Sequence, residues 1–475
     1  MISLFDYQER AVHELRMVYA SGCMAPLLVL PTGGGKTVCF TYMAARAAEK
    51  GLKVLLLAHR RELVSQISTA LKAWNVTHGI IKPDAKPTSH AVQVGMAQTL
   101  ANRIKLDKAG RYRFDLVIID EAHHATKHST WGKILQHNAG AKLLGVSATP
   151  CRLDGKGLGQ QSDGFFDAMI VGPSVSELIE QGRLARPVVY APQTTVDLSS
   201  VKVRGGDYVS SQLAGMMDKA AITGDAVLHY KRHADKQPAI AFTITVQHAH
   251  HVVEQFQQAG YQAAVLTGST PDKERAQMIK DLGAGKLHVL ASCNVVSEGT
   301  DIPTVGAAIL LRPTASYALA MQQIGRALRA YPGKDKAIIL DHADNVRRHG
   351  LPTDVQEWSL HGLKKKKKNA RSPVKCCEVC GVFVAISARE CPECGTAFAV
   401  SERDYAANDG QLVELTPEML EAQRKQKRNE LIRARTREEL IALGKSRSYK
   451  NPVFWADKIL QGRREWRSNH AGGHR

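Results

Sequence analysis

The sequence predicts an α/β protein with two parallel-sheet domains, followed by a small zinc-binding segment and a basic helical tail. Three observations carry this expectation. Apolar, β-rich runs alternate with amphipathic helical stretches twice along the chain, the pattern of strands joined by crossover helices. The alternation stops after about residue 350. Beyond it come two C-x2-C pairs and a surplus of lysine and arginine.

The strands of the first domain are read in "PLLVLP" (26–31), "KVLLLAH" (53–59), "FDLVIID" (114–120) and "KLLGVSA" (142–148), with helices such as "RRELVSQISTALKAW" between them. Those of the second are read in "AIAFTI" (239–244), "QAAVLT" (262–267), "KLHVLAS" (286–292), "AAILLR" (307–312) and "KAIILD" (336–341). A break at "QGRLARPVV" (181–189) separates the two sets. The expected domains are therefore 1–185 and 186–350, then a basic linker at 351–372 containing "KKKKK" (364–368), the zinc segment at 373–400 and the tail at 401–475. Within the tail, "TPEMLEAQRKQKRNELIRARTREELIALGK" reads as a helix, with Thr416 as N-cap, Pro417 at the first helical position and Gly444 near the end.

A chain of 475 residues, 44% hydrophobic, exceeds what one core organises. Its net charge of +19 points to a polyanionic partner, nucleic acid first. From Lys364 onward there are 24 Lys and Arg against 14 Asp and Glu, so this stretch carries +10 of that charge. No apolar run approaches bilayer length, and "MISLFDYQER" lacks a signal-peptide layout, so no membrane role and a cytoplasmic location are expected. Five of the nine cysteines fall between residues 376 and 394, which argues for a local metal site and reduced thiols, not a disulfide framework.

The stretch "LVLPTGGGKT" (28–37) runs an apolar strand into a glycine-rich turn and a helix, where backbone N–H groups and a helix N-terminus can surround phosphates. Thr32, Gly33, Gly34 and Gly35 form the turn, Lys36 is placed to reach the β- and γ-phosphates of ATP, and Thr37 to hold Mg2+. Leu30 stands where the strict pattern opens with glycine, so the loop by itself also reads as a plain turn. "IIDEAHH" (118–124) ends a strand with Asp120, a second Mg2+ ligand, and Glu121, a base for the attacking water. Two adjacent carboxylates behind an apolar run are costly to bury without a cation. "QQIGRALR" (322–329) sets Arg326 and Arg329 one helical turn apart on one face, suited to the charge that develops on a γ-phosphate. Alone, that pattern reads as a solvated basic helix; the other motifs favour the phosphate.

In chain order, "FDYQ" (5–8), "LPTGGGKT", "AHRRELVSQ" (58–66), "GMAQTL" (95–100), "DEAH" (120–123), "SATP" (147–150), "LTGST" (266–270), "VVSEGTDIP" (295–303) and "QQIGRALR" resemble the motif series of superfamily 2 helicases. The resemblance covers residues 1–345, and "LLGVSATPCRLDGKG", "EGTDIPTV" and "AIILDHADN" are similar to the RadD-like and XPB-like DEAH-box branch. It implies two RecA-like domains with ATP and Mg2+ in the cleft between them and nucleic acid across both. Members of this superfamily often carry another residue at the position of Leu30. By the same resemblance Gln8 pairs with adenine, although Phe5-Asp6-Tyr7-Gln8 lacks the arginine of the usual Arg-Pro-Tyr-Gln-like pattern. Gln322 contacts the γ-phosphate or the water; His123 and Ser147-Ala148-Thr149 couple hydrolysis to domain movement; Gly299 and Asp301 sense the nucleotide. Arg60, Gln98, Thr99, Thr267, Gly268 and Thr300 line the nucleic-acid track, chiefly through phosphates.

Cys377-x2-Cys380-x10-Cys391-x2-Cys394 gives four thiolates suited to tetrahedral Zn2+, with Cys376 the alternative to Cys377. RadD-like proteins also carry cysteine clusters after the motor. Tyr449, Phe454, Trp455 and Trp466 lie among the cations of the tail, a surface for exposed bases or for a DNA-repair or replication protein, or a set of core contacts between tail helices. The expected activity is an ATP-dependent helicase or translocase on single-stranded, duplex or branched DNA, in repair, recombination or replication. The alternatives are an RNA-remodelling ATPase, the motor subunit of a restriction or defence complex, and a nucleic-acid-binding scaffold with a vestigial ATPase.

Overall fold

The computed structural model describes residues 3–107, 110–152, 154–191, 198, 200–218, 220–293, 302–362, 374–385, 388–398 and, farther on, 430–431, 433–434, 436–446, 452–453, 456–457 and 459–460. Gly299, Thr300, Asp301, the lysine run, Thr416, Pro417, Tyr449, Phe454, Trp455 and Trp466 lie outside the described residues. The chain forms two compact units, Met1–Ala399 and Val400–Arg475.

Among its described residues the first unit contains two large parallel sheets and two short antiparallel hairpins. The first lobe has seven parallel strands: β1 (Pro26–Val29), β2 (Val54–Ala58), β3 (His78–Ile81), β4 (Val92–Met96), β5 (Leu116–Asp120), β6 (Lys142–Ser147) and β7 (Ala168–Val171), in the spatial order β3-β4-β2-β5-β6-β1-β7. Strands β1, β2 and β5 are buried along their whole length, as near-continuous apolar runs covered by helices on both faces should be. The order places the carboxyl ends of β5, β6 and β1 side by side, with Val29 opposite Ser147 and Asp120 opposite Val146. Such strand ends are where open α/β sheets bind ligands.

The second lobe begins with β8 (Arg186–Tyr190), followed by a small antiparallel hairpin of β9 (Val203–Arg204) and β10 (Asp207–Tyr208). Then come β11 (Ala239–Thr243), β12 (Ala263–Leu266), β13 (Val289–Cys293), β14 (Ala307–Leu310) and β15 (Lys336–Asp341). The parallel order is β12-β13-β11-β14-β15-β8, which leaves β8 at an edge.

That edge is covered by the cysteine segment, whose hairpin of β16 (Val374–Cys376) and β17 (Phe383–Ala385) bridges Tyr190 through Val382. Val382, Phe383 and Val384 are buried, and the Glu393 carboxylate accepts from Arg186 at 2.7 Å and from Lys336. A bare strand edge invites foreign pairing, and this hairpin closes it.

Residues 351–362, expected to open a basic linker, instead run back to the first lobe. The carbonyl of Thr353 accepts from Ser176, that of Leu360 from the Gly159 N–H at 2.9 Å, and Trp358 and Leu360 pack on the first-lobe core.

In the second unit, helix Arg437–Ser446 buries Leu440, beside buried Ala434 and Ala456, and Arg437 pairs with Asp457 at 2.7 Å.

Candidate active site

Leu30 continues β1 rather than opening the loop: its N–H donates to the Ser147 carbonyl at 3.1 Å and its side chain is fully buried. The turn proper is Pro31–Gly35, after which the helix Lys36–Glu49 starts. Gly33 and Gly35 have φ of 86° and 75°, the left-handed region that glycine enters without strain. Gly35 is also constrained by its neighbour, because a Cβ there would overlap the Gln8 carboxamide.

Gln8 lies in the first turn of helix Asp6–Ala20 and is 1% exposed. Its Oε1 accepts from the Phe5 N–H at 3.0 Å, while the neighbouring Tyr7 hydroxyl donates to the Gly34 carbonyl at 3.2 Å. Tyr7 was not marked as a loop support in the sequence, since only the fold brings the two segments together.

Asp120 is 5% exposed at the end of β5 and accepts from the Glu121 N–H at 3.0 Å. Burial, with the Glu121 charge beside it, pushes the Asp120 carboxyl up to about 7, and the Lys36 ammonium pulls the other way. Glu121 itself has φ of 52° and ψ of 55°, a left-handed conformation uncommon for a side-chain-bearing residue. Such strain persists where the surroundings impose it and is concentrated at functional positions. His123 Nδ1 lies 3.4 Å from Glu121 Oε2 and 3.3 Å from Ser147 Oγ, and Ser147 Oγ donates to the Thr149 carbonyl at 2.9 Å. The residues assigned to coupling thus form one chain of contacts from Glu121 into the end of β6.

From the other lobe, the helix Tyr317–Gly325 brings Gln322 and Arg326, which are 4% and 6% exposed. The Gln322 amide nitrogen is buried and has no hydrogen-bond partner among the described residues. The expectation of Arg326 and Arg329 on one helix face is corrected: the helix ends at Gly325, and Arg329 lies in an extended segment bridged antiparallel to Leu184. The Ala185 N–H donates to the Leu328 carbonyl at 2.7 Å, so pairing with the interlobe connection replaces the next helical turn. The lobes meet at the loop itself. A Cβ on Gly33 would stand 2.7 Å from Leu184 and 3.5 Å from Arg329, and one on Gly325 would stand 2.6 Å from Thr32.

The proposed nucleic-acid residues that are described lie on other elements of the two lobes. Arg60 caps helix Arg61–Ala73 and donates to His59 at 3.2 Å; Gln98 is exposed and Thr99 half-buried on helix Ala97–Ile104; Gly268 is exposed beside buried Thr267. Sequence reasoning missed two ion pairs that join the lobes near them, Arg275 with Glu62 and Arg61 with Asp272 at 3.7 Å. The four charges are visible in the sequence, but pairings across more than 200 positions carry no local signal.

The sulfurs of Cys377, Cys380, Cys391 and Cys394 lie within 4.8 Å of one another, with Cys377–Cys394 and Cys380–Cys391 both at 3.6 Å. Four thiolates at about 2.3 Å from a tetrahedral Zn2+ stand roughly 3.8 Å apart, so the set fits this ion. Cys376 sits on β16 outside the group.

Comparison with known proteins adds an independent line. Residues 1–152 match the family described as "Type III restriction enzyme, res subunit", and residues 219–331 match "Helicase conserved C-terminal domain". The chain is 34% identical over 379 residues to the "51.5 kDa protein" of a Lactococcus phage, covering 78% of each. It is 30% identical over 358 residues to the "Putative ATP-dependent helicase IRC3" of Saccharomyces cerevisiae, covering 71% of this chain and 51% of that one; it thus spans about half of the yeast protein. Among solved structures, a fragment of a "putative HsdR subunit of a type I restriction enzyme" from Vibrio vulnificus YJ016 superimposes with a TM-score of 0.56 at 19% identity, covering 73% of this chain and 66% of that one. S. cerevisiae Dbp5, bound to RNA and ADP BeF3, gives 0.51 at 20% identity, covering 72% and 85%. These two likenesses show a shared fold.

Proposed function

Because the chain belongs to the superfamily 2 helicases, an ATP-hydrolysing family, we propose that it is a motor that translocates along DNA, in repair, recombination or replication. The single observation that carries an active motor is the direct apposition of the loop Pro31–Gly35 to Gly325, Leu184 and Arg329 of the opposite segments. A vestigial site has no reason to keep buried Asp120, Glu121, Gln322 and Arg326 around that seam. The charge of +19 favours a nucleic-acid partner of either kind, and the family match to a restriction-enzyme subunit favours DNA over RNA. In this reading Lys36 and the turn hold the phosphates, Thr37 and Asp120 hold Mg2+, Glu121 orients and deprotonates the water, and Gln322, Arg326 and Arg329 answer the γ-phosphate charge. Arg60, Gln98, Thr99, Thr267, Gly268 and Thr300 contact the nucleic-acid backbone, and Gly299 and Asp301 report the nucleotide state.

Parallel ATPase assays with single-stranded, duplex and forked DNA and with RNA test the proposal. DNA should stimulate turnover several-fold more than RNA; equal or greater stimulation by RNA would replace it with the RNA-remodelling alternative.

The Asp120 environment gives a pH prediction. Its protonated form adds stability below the ordinary carboxylate range, and this stability is lost as pH rises through about 7. Metal binding requires the ionised form, so Mg2+ with nucleotide should raise the melting temperature more at about pH 8 than at about pH 6. Asp120→Asn should remove both the rise and its pH dependence in a thermal-shift series. A metal effect that grows as pH falls would contradict the assignment.

Zinc at Cys377, Cys380, Cys391 and Cys394 is structural in this proposal. Elemental analysis of protein purified without chelator should find about one Zn2+ per chain. Because Val382 and Val384 belong to the core around β8, Cys391→Ser should lower the melting temperature of the second lobe as well as release zinc. Zinc-free protein with unchanged melting would refute the structural role.

A further inference from the structure

Lys334 belongs to none of the sequence motifs, yet the fold sets it against the segment that carries Arg329. It is half-buried at the end of a turn in which its own N–H donates to the Tyr331 carbonyl at 3.0 Å. From there the ammonium folds back and donates to three backbone carbonyls: that of Arg329 at 2.7 Å, of Val305 at 2.5 Å and of Pro303 at 3.3 Å. An ammonium has three protons to donate, so these acceptors use all of them. Pro303 ends the stretch "VVSEGTDIP", and one cation therefore joins the end of that stretch to the arginine segment. Among the described residues no carboxylate pairs with it. Burial, with the Arg329 charge nearby, pushes the ammonium down to about 8.

We propose that Lys334 is a positioning residue that holds Arg329 extended over the phosphate turn, so that its guanidinium meets the γ-phosphate of bound ATP. The arginine segment is gripped twice. Leu184 bridges it, with the Ala185 N–H donating to the Leu328 carbonyl at 2.7 Å. Lys334 takes the Arg329 carbonyl itself, which fixes the peptide from which the arginine side chain departs. That side chain reaches the turn, since a Cβ on Gly33 would stand 3.5 Å from the Arg329 Cγ. Charge then aims its tip: like charges repel more strongly away from bulk water, so the Lys334 ammonium disfavours rotamers that fold the guanidinium back along its own segment. A neutral side chain could cap carbonyls without the cost of burying a cation beside a second one, which argues that the charge has a use beyond capping. An arginine already in place when phosphate charge develops needs no reorganisation at that moment.

This inference rests on Arg329 acting at the γ-phosphate. The test uses full-length protein with saturating DNA, measuring steady-state ATP hydrolysis and, for slow variants, single-turnover phosphate release. Lys334→Met, which keeps the length and drops the charge, should lower kcat about tenfold and change the KM for ATP by less than about twofold. Lys334→Gln retains a donor for the carbonyls, which protects the fold, and should lose as much kcat because the charge is gone. Arg329→Ala should lose more than either, and adding Lys334→Met to it should cost nothing further, because the residue through which Lys334 acts is absent. The same loss from Lys334→Met in both backgrounds would show general damage to the second lobe and overturn the proposal. Wild-type kcat in both Lys334 variants, with an impaired Arg329→Ala, would overturn it alone. Wild-type hydrolysis by Arg329→Ala would overturn the reading of Arg329 and this inference with it.

Discussion

Lys36→Ala and Glu121→Gln should both abolish ATP turnover, and they should part company on binding. Lys36 starts the helix that follows the phosphate turn, and its charge acts on buried Asp120. Removing it takes a cation from the phosphates and leaves the Asp120–Glu121 pair less compensated, so nucleotide affinity should fall together with turnover. Glu121→Gln keeps the shape and the contact region of His123 but cannot take a proton. Turnover should drop by about a hundredfold or more while a fluorescent ATP analogue still binds. Stopped-flow binding and steady-state phosphate release measure the two quantities. A Glu121→Gln protein that hydrolyses ATP at the wild-type rate in the presence of DNA would remove Glu121 from the role of base.

Arg326→Ala is expected to lower kcat by about a thousandfold or more, the scale on which arginines that answer γ-phosphate charge act in phosphoryl transfer. Arg326 is 6% exposed at the end of helix Tyr317–Gly325, on the lobe opposite the phosphate turn. A group there contributes when the lobes are together and little to the first encounter with nucleotide, so the KM should change far less than kcat. Arg326→Lys separates charge from geometry, since an ammonium keeps the charge without the planar fork. It should recover only a small part of the loss. If Arg326→Ala instead weakens binding and spares kcat, the residue belongs to ground-state binding.

The proposed site was legible where a residue type and its immediate neighbours suffice. Glycine, lysine and threonine after an apolar strand suggest a phosphate turn, and two carboxylates at a strand end suggest a metal position. The strongly apolar strands were legible for the same reason. Strands β3, β4 and β7 were not: "HGII" and "AMIV" are short, and "VQVGM" is interrupted by Gln93 and Gly95. Strand β8 was read as a break because Pro187 is tolerated where an edge leaves its nitrogen unpaired. The end of the helix at Gly325 was hidden too, because what stops it is the distant backbone of Leu184 and Ala185. The same distance concealed the return of 351–362 to the first lobe and the cover that the cysteine hairpin makes over β8. Each depends on partners that only the folded chain brings together.

Displacement of a third strand from duplex DNA tests most directly whether ATP energy is spent on movement along DNA. With ATP and Mg2+, the wild-type protein should release a triplex-forming oligonucleotide after a lag that lengthens with the distance to it, and Glu121→Gln should release none. DNA-stimulated ATP hydrolysis with no displacement, on duplex tracks or on single-stranded tracks blocked by streptavidin, would contradict the account.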